Sequence, residues 1–244
     1  MPKSPHVLAI RQRHYSHLPS PHRVYYQRLA DRLKAHQAKT VLNIGCGTGS
    51  GDKFDWAGHK DSVRLIGLDV DPNAETNPYI ASFVLASDTS DWDIPADSID
   101  FATCRSVLEH VQWPAHFFTN LRRVLKPGGE FLFITPNLLH PAMLASAAIP
   151  TKLKTSLLLK ATGRPEADTF PTVYRLNTRR AIERSAREFG FAIDELMVGE
   201  WTPTNYLDFS VVTFRLAEFY YTVVTKTGLE KHFGINIIGL LRKS

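Results

Sequence analysis

Gly45, Gly47 and Gly49 occupy alternate positions in VLNIGCGTGS, directly after the apolar run TVLNI. A glycine costs backbone entropy on folding and gives no side chain to pack. Three in one turn suit a place where a ligand approaches the backbone too closely for a Cβ, or else a plain connection between two elements. A second apolar run, SVRLIGLDV, ends in Asp69, 24 positions after Gly45. A carboxylate at such a strand end can accept two hydrogen bonds from the vicinal hydroxyls of a ribose. Asp71 is the alternative, but Pro72 follows it and marks it as the start of a turn. The glycine spacing then selects among ligands. G-x-G-x-x-G fails from Gly45, where Ser50 fills the last place, and from Gly47, where Asp52 does. A phosphate loop needs a lysine after its last glycine, and this chain has Ser50, Gly51 and Asp52 there. The pattern suits a ligand without a pyrophosphate.

The elements that must position these residues alternate along the chain. TVLNI, SVRLIGLDV, ASFVLAS, SIDFATC and EFLFITPN are strand candidates. A helical stretch from Trp113 to Leu125 and a sharp KPGG turn precede the last of them. Strands alternating with helices predict a doubly wound α/β fold with a mostly parallel sheet, whose ligand sits at the carboxyl ends of the strands where their order reverses. A helix beginning after Gly49 would aim its N–H groups at that point. Ser20 followed by Pro21 starts a leading helix with the apolar stripe Val24, Tyr25, Leu29, Leu33, placed to lie over the site or to pack on the core. Thr178 caps a later helix that Gly190 stops, and FAIDELMV and INIIGLLRK read as the final strands. Phe209, Val212, Leu216, Phe219 and Val223 recur at helical spacing, which predicts a helix packed through that stripe rather than laid on a membrane. Trp113 and Phe117 are expected in the core. The organisation expected is one domain over 1–244: a helical extension (1–39), a cofactor-binding core (40–137), an inserted lid (138–177) with a helix near Lys152–Lys160, and C-terminal helices and strands (178–244).

Composition sets outer bounds. The 244 residues can enclose one substantial core. No apolar run is long enough to span a bilayer, and no secretory leader is read at the N-terminus, MPKSPHVLAIRQRHYSH. Cys46 and Cys104 fall in core-like segments and read as reduced, buried thiols of a cytoplasmic protein. The net charge of +5 is unevenly spread: residues 41–137 hold 7 Lys and Arg against 13 Asp and Glu, the remainder 22 against 11. Basic flanks can attract anionic lipid or RNA, but more often form a solvated surface. No nucleic-acid module and no metal site are read.

Taken in order, VLNIGCGTG, GLDVDP, DSIDFATCRSVLEHV and LRRVLKPGGEFLFITPN resemble the class I S-adenosylmethionine-dependent methyltransferases of the broad type 11 group, over about Thr40 to Asn137. The resemblance implies a Rossmann-like seven-stranded sheet and S-adenosylmethionine as cofactor. It implies that Gly45, Gly47 and Gly49 pass under the cofactor, with Cys46 a small residue beside it. Asp69 would hold the ribose hydroxyls and Val70 would line the adenine. Asp88 with Thr89, or else Asp91, would meet the adenine amino group. Arg105 would face the methionine end, and Glu109–His110 matches a Glu-His pair common after the fourth strand. Asn43 departs from the family, which often has Asp there; it keeps an acceptor but loses the charge. The loop SDTSDWDIPADSID is also longer than usual.

Methyl transfer is an in-line displacement, for which the protein supplies alignment and a dry pocket. A base is needed only for an acceptor that must lose a proton; His110 and His140 are the candidates, against a capping or packing role for each. The acceptor is expected to be a small molecule, held by the segment DTFPTVYRLNT through Asp168, Tyr174 and Arg175, with a structural Asp168–Arg175 salt bridge as the alternative. Two other classes stay open at this level: a dinucleotide oxidoreductase, against which the glycine spacing counts, and a non-catalytic scaffold or partner subunit retaining the fold.

Overall fold

The computed structural model of the chain describes residues 3–36, 40–50, 53–87, 90–148 and 170–244. Seven strands form one sheet: β1 Thr40–Ile44, β2 Arg64–Asp69, β3 Ser82–Leu85, β4 Ile99–Arg105, β5 Leu125–Pro136, β6 Phe191–Gly199 and β7 Asn236–Lys243. Their order is β3-β2-β1-β4-β5-β7-β6. β1 to β5 run parallel, and β7 lies antiparallel between β5 and β6. The order reverses between β1 and β4, so the carboxyl ends of these two strands flank a crevice.

Alternation along the strands builds a core on each face. On β5, Phe131 and Phe133 join Leu42, Phe118, Leu121 and Ile182 on one side, while Leu132 and Ile134 join Val41, Tyr25, Leu29 and Leu33 on the other. The described α-helices are α1 Pro5–His14, α2 Pro21–His36, α3 Pro114–Val124, α4 Pro141–Ala148, α5 Arg179–Glu188, α6 Val211–Thr227 and α7 Glu230–Phe233. Two of the expected caps are present: Ser20 Oγ accepts from the Arg23 N–H at 3.1 Å, and Thr178 Oγ1 from the Ala181 N–H at 3.2 Å. α2 buries Tyr25, Leu29 and Leu33 as its stripe predicts, and Tyr25 Oη shares a 2.5 Å hydrogen bond with Thr103 Oγ1 on β4.

Four expectations need correction. KPGG is a bulge inside β5, not a separate turn: pairing to β4 jumps from Ile99–Leu125 to Phe101–Glu130, and Gly128 takes φ +75°. No α-helix follows Gly49 among the described residues; the next element is a short 3-10 turn at Ala57–His59. The α6 stripe faces outward. Val212, Leu216 and Phe219 are 74, 61 and 70 % exposed, and the helix packs instead through Phe214, Ala217 and Val224. The choice is made by α1, whose Arg11 guanidinium lies 4.9 Å from the Phe214 ring centre while the adjoining Tyr15 ring meets Phe214 edge-on. Trp113, assigned to the core, is about half exposed, although Phe117 is buried as expected. The lid placed at 138–177 begins with α4; its proposed helix at Lys152–Lys160 lies outside the described residues.

α1 is pinned across the sequence. The Arg11 side chain donates to both carboxylate oxygens of the buried Asp208 and to the carbonyls of Pro203 and Thr204.

Candidate functional site

At the carboxyl end of β1, Gly45, Gly47 and Gly49 adopt φ +70°, +49° and +80°, a left-handed run that only glycine takes at low cost. Their surroundings differ. A Cβ on Gly45 would overlap a methyl of Val107, and one on Gly49 would stand 2.8 Å from Asn77 Oδ1. A Cβ on Gly47 would meet no atom within 4 Å. Two of the glycines are therefore required by packing. The third opens on space, a cradle that a side chain would fill.

Asp69 ties that cradle to β2. Its Oδ2 accepts the Gly47 N–H at 2.8 Å and its Oδ1 the Asp71 N–H at 3.0 Å. The turn is held from behind by Asn77, whose amide donates to the carbonyls of Cys46 and Gly47, both at 3.0 Å. Asp71 caps the next turn through the Asn73 N–H, as its neighbour Pro72 suggests. Among the described residues no α-helix terminus lies behind the turn.

A cavity of about 720 Å³ opens above Gly45, Gly47, Asp69 and Val70. Its walls come from the ends of β3 and β4, from the segment leading into α3, and from residues 170–173. Arg105, Ser106 and His110 line it, as does Trp113. Ser106 holds φ +57°, a costly conformation for a residue with a side chain, just where β4 delivers the chain to the cavity. A smaller pocket under α2, bounded by Tyr25, Tyr26 and Leu29, contains Asn43 and Cys46; Gly45 and Arg105 border both spaces.

His110 is fixed by a main-chain contact. Its Nδ1 lies 2.9 Å from the Pro171 carbonyl oxygen, which can only accept, so in the neutral ring Nδ1 carries the proton and Nε2 is left as an acceptor. The preceding Glu109 is buried and built inward. Its carbonyl accepts from the Val173 and Tyr174 N–H groups, and its Oε2 from Thr135 Oγ1 at 3.0 Å. Asn177 in turn donates to Thr135 Oγ1 at 2.7 Å. Burial pushes the Glu109 carboxyl above its ordinary range, against the opposing pull of its hydrogen bonds and of His110. The Glu-His pair thus clamps the 170–174 segment over the cavity.

The remaining candidates are placed as follows. Gly49 supports the turn and does not line the larger cavity. Asp88, Thr89 and Asp168 lie outside the described residues. Asp91 is exposed and does not line the cavity, although its neighbour Trp92 does, with Ala86 and Ser87. Tyr174, at φ +54°, and Arg175 are beside the cavity but not in its wall. Arg175 stands 5.4 Å from the Trp113 ring centre, packed on a residue that does line it. His140 is not brought to the site. It is buried at the start of α4, its Nδ1 accepts the Ala142 N–H, and its ring packs edge-on to Tyr220 at 5.0 Å. Cys46 and Cys104 are buried free thiols; burial, with the Asp69 charge next, lifts Cys46 to about 12. Neither is a nucleophile at neutral pH.

Sequence reading missed Asn77, Ser106 and Val107; the 170–173 wall falls within the DTFPTVYRLNT stretch expected at the acceptor, but lines the cavity through Phe170, Pro171 and Val173 rather than through Tyr174 and Arg175. Asn77 carries a local signal, an Asn before Pro closing a short turn; the others are joined to the site only by the fold.

Among solved structures, an S-adenosylmethionine-dependent methyltransferase from Mesorhizobium loti superposes with a TM-score of 0.51 at 19 % identity, covering 89 % of this chain and 98 % of that one. Geranyl diphosphate C-methyltransferase from Streptomyces coelicolor superposes at 0.50 and 14 %, covering 89 % and 76 %. These likenesses establish the fold. By sequence, a probable S-adenosylmethionine-dependent methyltransferase of Mycolicibacterium smegmatis is 36 % identical over 121 residues, 48 % of this chain and 44 % of that protein. A thiol S-methyltransferase of Rattus norvegicus is 28 % identical over 142 residues, 53 % and 56 % of the two chains. The chain spans about half the length of the curated relatives it matches. Residues 13–196 match the model of a family described as a methyltransferase domain, a stretch that takes in the glycine turn, Asp69 and the whole parallel part of the sheet. The chain belongs to the S-adenosylmethionine-dependent methyltransferase family.

Proposed function

We propose that this protein transfers the methyl group of S-adenosylmethionine to a small apolar or aromatic acceptor bearing a proton on its nucleophilic atom. The observation that carries the reading is the open Gly47 cradle bonded to Asp69 at the reversal point of the sheet. Bound there, the cofactor supplies an electrophilic methyl group. The chain's residues do the rest. Asp69 meets the ribose hydroxyls, and Val70, Ala86 and Ser87 enclose the adenine. Gly45 and Arg105 receive the methionine end, with Asn43 and Cys46 behind them. Arg105 is at hand for a carboxylate, and Asn43 offers an uncharged acceptor to the ammonium.

The acceptor takes the other half of the cavity. Trp113, Phe170 and Val173 make that wall apolar, which excludes water and favours a near-attack geometry. His110 Nε2, held as an acceptor by the Pro171 contact, takes the proton of a thiol, phenol or alcohol as the new bond forms. Small-molecule relatives such as the thiol S-methyltransferase support an acceptor of this size. Tyr174 and Arg175 shape the wall from outside, Arg175 through Trp113. The two buried free thiols support a cytoplasmic location, and among the described residues no helix is long and apolar enough to cross a membrane.

Calorimetric titration with S-adenosylhomocysteine, with NAD as control and Asp69→Ala alongside, tests the cofactor site. Micromolar binding that vanishes in the variant is the expected result. Binding of NAD, or undiminished affinity in Asp69→Ala, would refute it. A panel of thiols and phenols incubated with labelled S-adenosylmethionine then tests the acceptor class. His110→Ala should lower turnover about a hundredfold while leaving cofactor affinity unchanged.

A further inference from the structure

We infer that the face formed by α5, α6 and α7 docks the protein on an anionic lipid bilayer. α6 turns Val212, Leu216, Phe219 and Val223 to solvent at positions i, i+4, i+7 and i+11, a continuous apolar stripe on one side of a helix whose opposite side is already packed. Arg215 and Lys226 border the stripe. Among the described residues the one acid of α6, Glu218, lies on the far side, where it accepts from Tyr15 Oη and pairs with Arg215. The apolar surface continues into α7, where Leu229 and Phe233 are exposed at either end, and Tyr220 Oη binds the two helices by donating to the Phe233 carbonyl at 2.7 Å.

α7 is also one wall of a basic groove of about 690 Å³. Arg180, Arg184 and Arg187 of α5 face Lys231 across it, with Glu183 its one acidic residue and Leu139 on its rim. The two features therefore share an element: the α7 segment contributes Leu229 and Phe233 to the apolar surface and Lys231 to the groove.

The occupant follows from having both. A nucleic acid would use the cations but has no use for four aliphatic and aromatic side chains pointing to solvent. A second copy of this chain would bring two basic faces together. An anionic bilayer takes both: the α6 side chains enter the headgroup–acyl boundary while the arginines meet phosphates and carboxylates of the surface. The charge distribution is consistent with this, since the residues outside 41–137 hold 22 basic against 11 acidic side chains and the cofactor core is acidic.

Co-sedimentation with phosphatidylcholine vesicles, with and without phosphatidylserine, tests the inference on the full chain. Sedimentation is expected only with phosphatidylserine present, falling about tenfold or more between about 0.1 M and about 0.5 M salt. Leu216→Ser/Phe219→Ser should lose about tenfold or more in vesicle affinity, since each side chain removes buried apolar area from the contact. Arg180→Glu/Arg184→Glu should lose as much and leave little salt dependence. Both variants change exposed residues and should melt within about 2–4 °C of the parent and keep S-adenosylhomocysteine affinity, which shows that they fold. Absence of sedimentation with either vesicle would overturn the inference, as would lipid binding indifferent to both variants. A dimer in sedimentation velocity that Leu216→Ser/Phe219→Ser dissociates, without lipid binding, would assign the face to a second copy instead. Retention of an RNA oligomer through the arginines alone, without lipid binding, would assign the groove to nucleic acid; either result overturns the bilayer.

Discussion

Replacing the three turn glycines one at a time should separate stability from cofactor binding, because their surroundings differ so much. Gly47→Ala meets no atom within 4 Å, so its only folding cost is that of holding alanine at φ +49°, about 1–2 kcal/mol. For a chain of this length that is a fall in Tm of roughly 2–8 °C. Gly45→Ala carries the same backbone cost at φ +70° and adds overlap with Val107, a residue packed against the core. Overpacking of that kind costs about 1–3 kcal/mol more, for a total of about 2–5 kcal/mol. The order reverses for the ligand. The Gly47 Cβ stands in the cradle itself, so its S-adenosylhomocysteine affinity should fall by about two orders of magnitude or more, as an off-geometry contact with a snug ligand costs several kcal/mol. Thermal melts without ligand and calorimetric titration with it give both quantities on the same samples. Val107→Ala added to Gly45→Ala should recover part of the lost stability, since it removes the methyl that the new Cβ overlaps. If Gly47→Ala binds as tightly as the parent, nothing passes over that glycine and the site has been misread. If Gly45→Ala melts with the parent, packing against Val107 is not what requires glycine there.

Three further outcomes are expected. Glu109 has a folded carboxyl pKa raised by burial. The folded state therefore holds a proton that the unfolded chain releases near the ordinary carboxylate value, so stability conferred below about pH 4.3 is lost as pH rises through the folded pKa. Glu109→Gln should flatten that decline, read as Tm against pH, and an unchanged slope would count against the buried carboxyl. Arg11→Ala leaves the buried Asp208 without its bidentate partner and should destabilise by about 3 kcal/mol, with Arg11→Ala/Asp208→Ala less costly than Arg11→Ala alone; equal costs for the two would refute the ion-pair account. His140→Phe should lower the melting temperature and leave turnover per folded molecule unchanged, because the ring packs against Tyr220 away from the cavity. A large loss of turnover would restore it as a catalytic candidate.

What could be read from the chain alone follows the range of the interactions. The glycine turn and Asp69 were legible because strand, turn and acid lie within thirty residues and their geometry is set by local backbone. The α2 stripe was legible because only one of its faces is apolar. α6 was not, because both of its faces are apolar: Phe214, Ala217 and Val224 compete with Val212, Leu216 and Phe219, and the decision is made by Arg11 and Tyr15, two hundred residues away. Trp113 was misassigned for a related reason. A tryptophan before a helix start reads as core, and only the arrival of residues 170–175 turns it into a cavity wall. Asn77 was passed over because its donors reach back to the Cys46 and Gly47 carbonyls, a pairing that exists only once β1 and β2 lie side by side.

The placing of β7 between β5 and β6 has a consequence for biosynthesis. Strands β1 to β5 can align in the order in which the ribosome delivers them, each finding a neighbour already made. β6 cannot. Among the described residues its sole partner within the sheet is β7, so from the emergence of Phe191 until Asn236–Lys243 follows it, β6 waits with both edges open and β5 exposes the flank that β7 will cover. A nascent chain halted in that interval presents three unsatisfied strand edges, which invites β-pairing with other chains. Slow codons or truncations falling between Gly199 and Asn236 should therefore send this protein to chaperones or inclusion bodies far more readily than those that fall before Phe191.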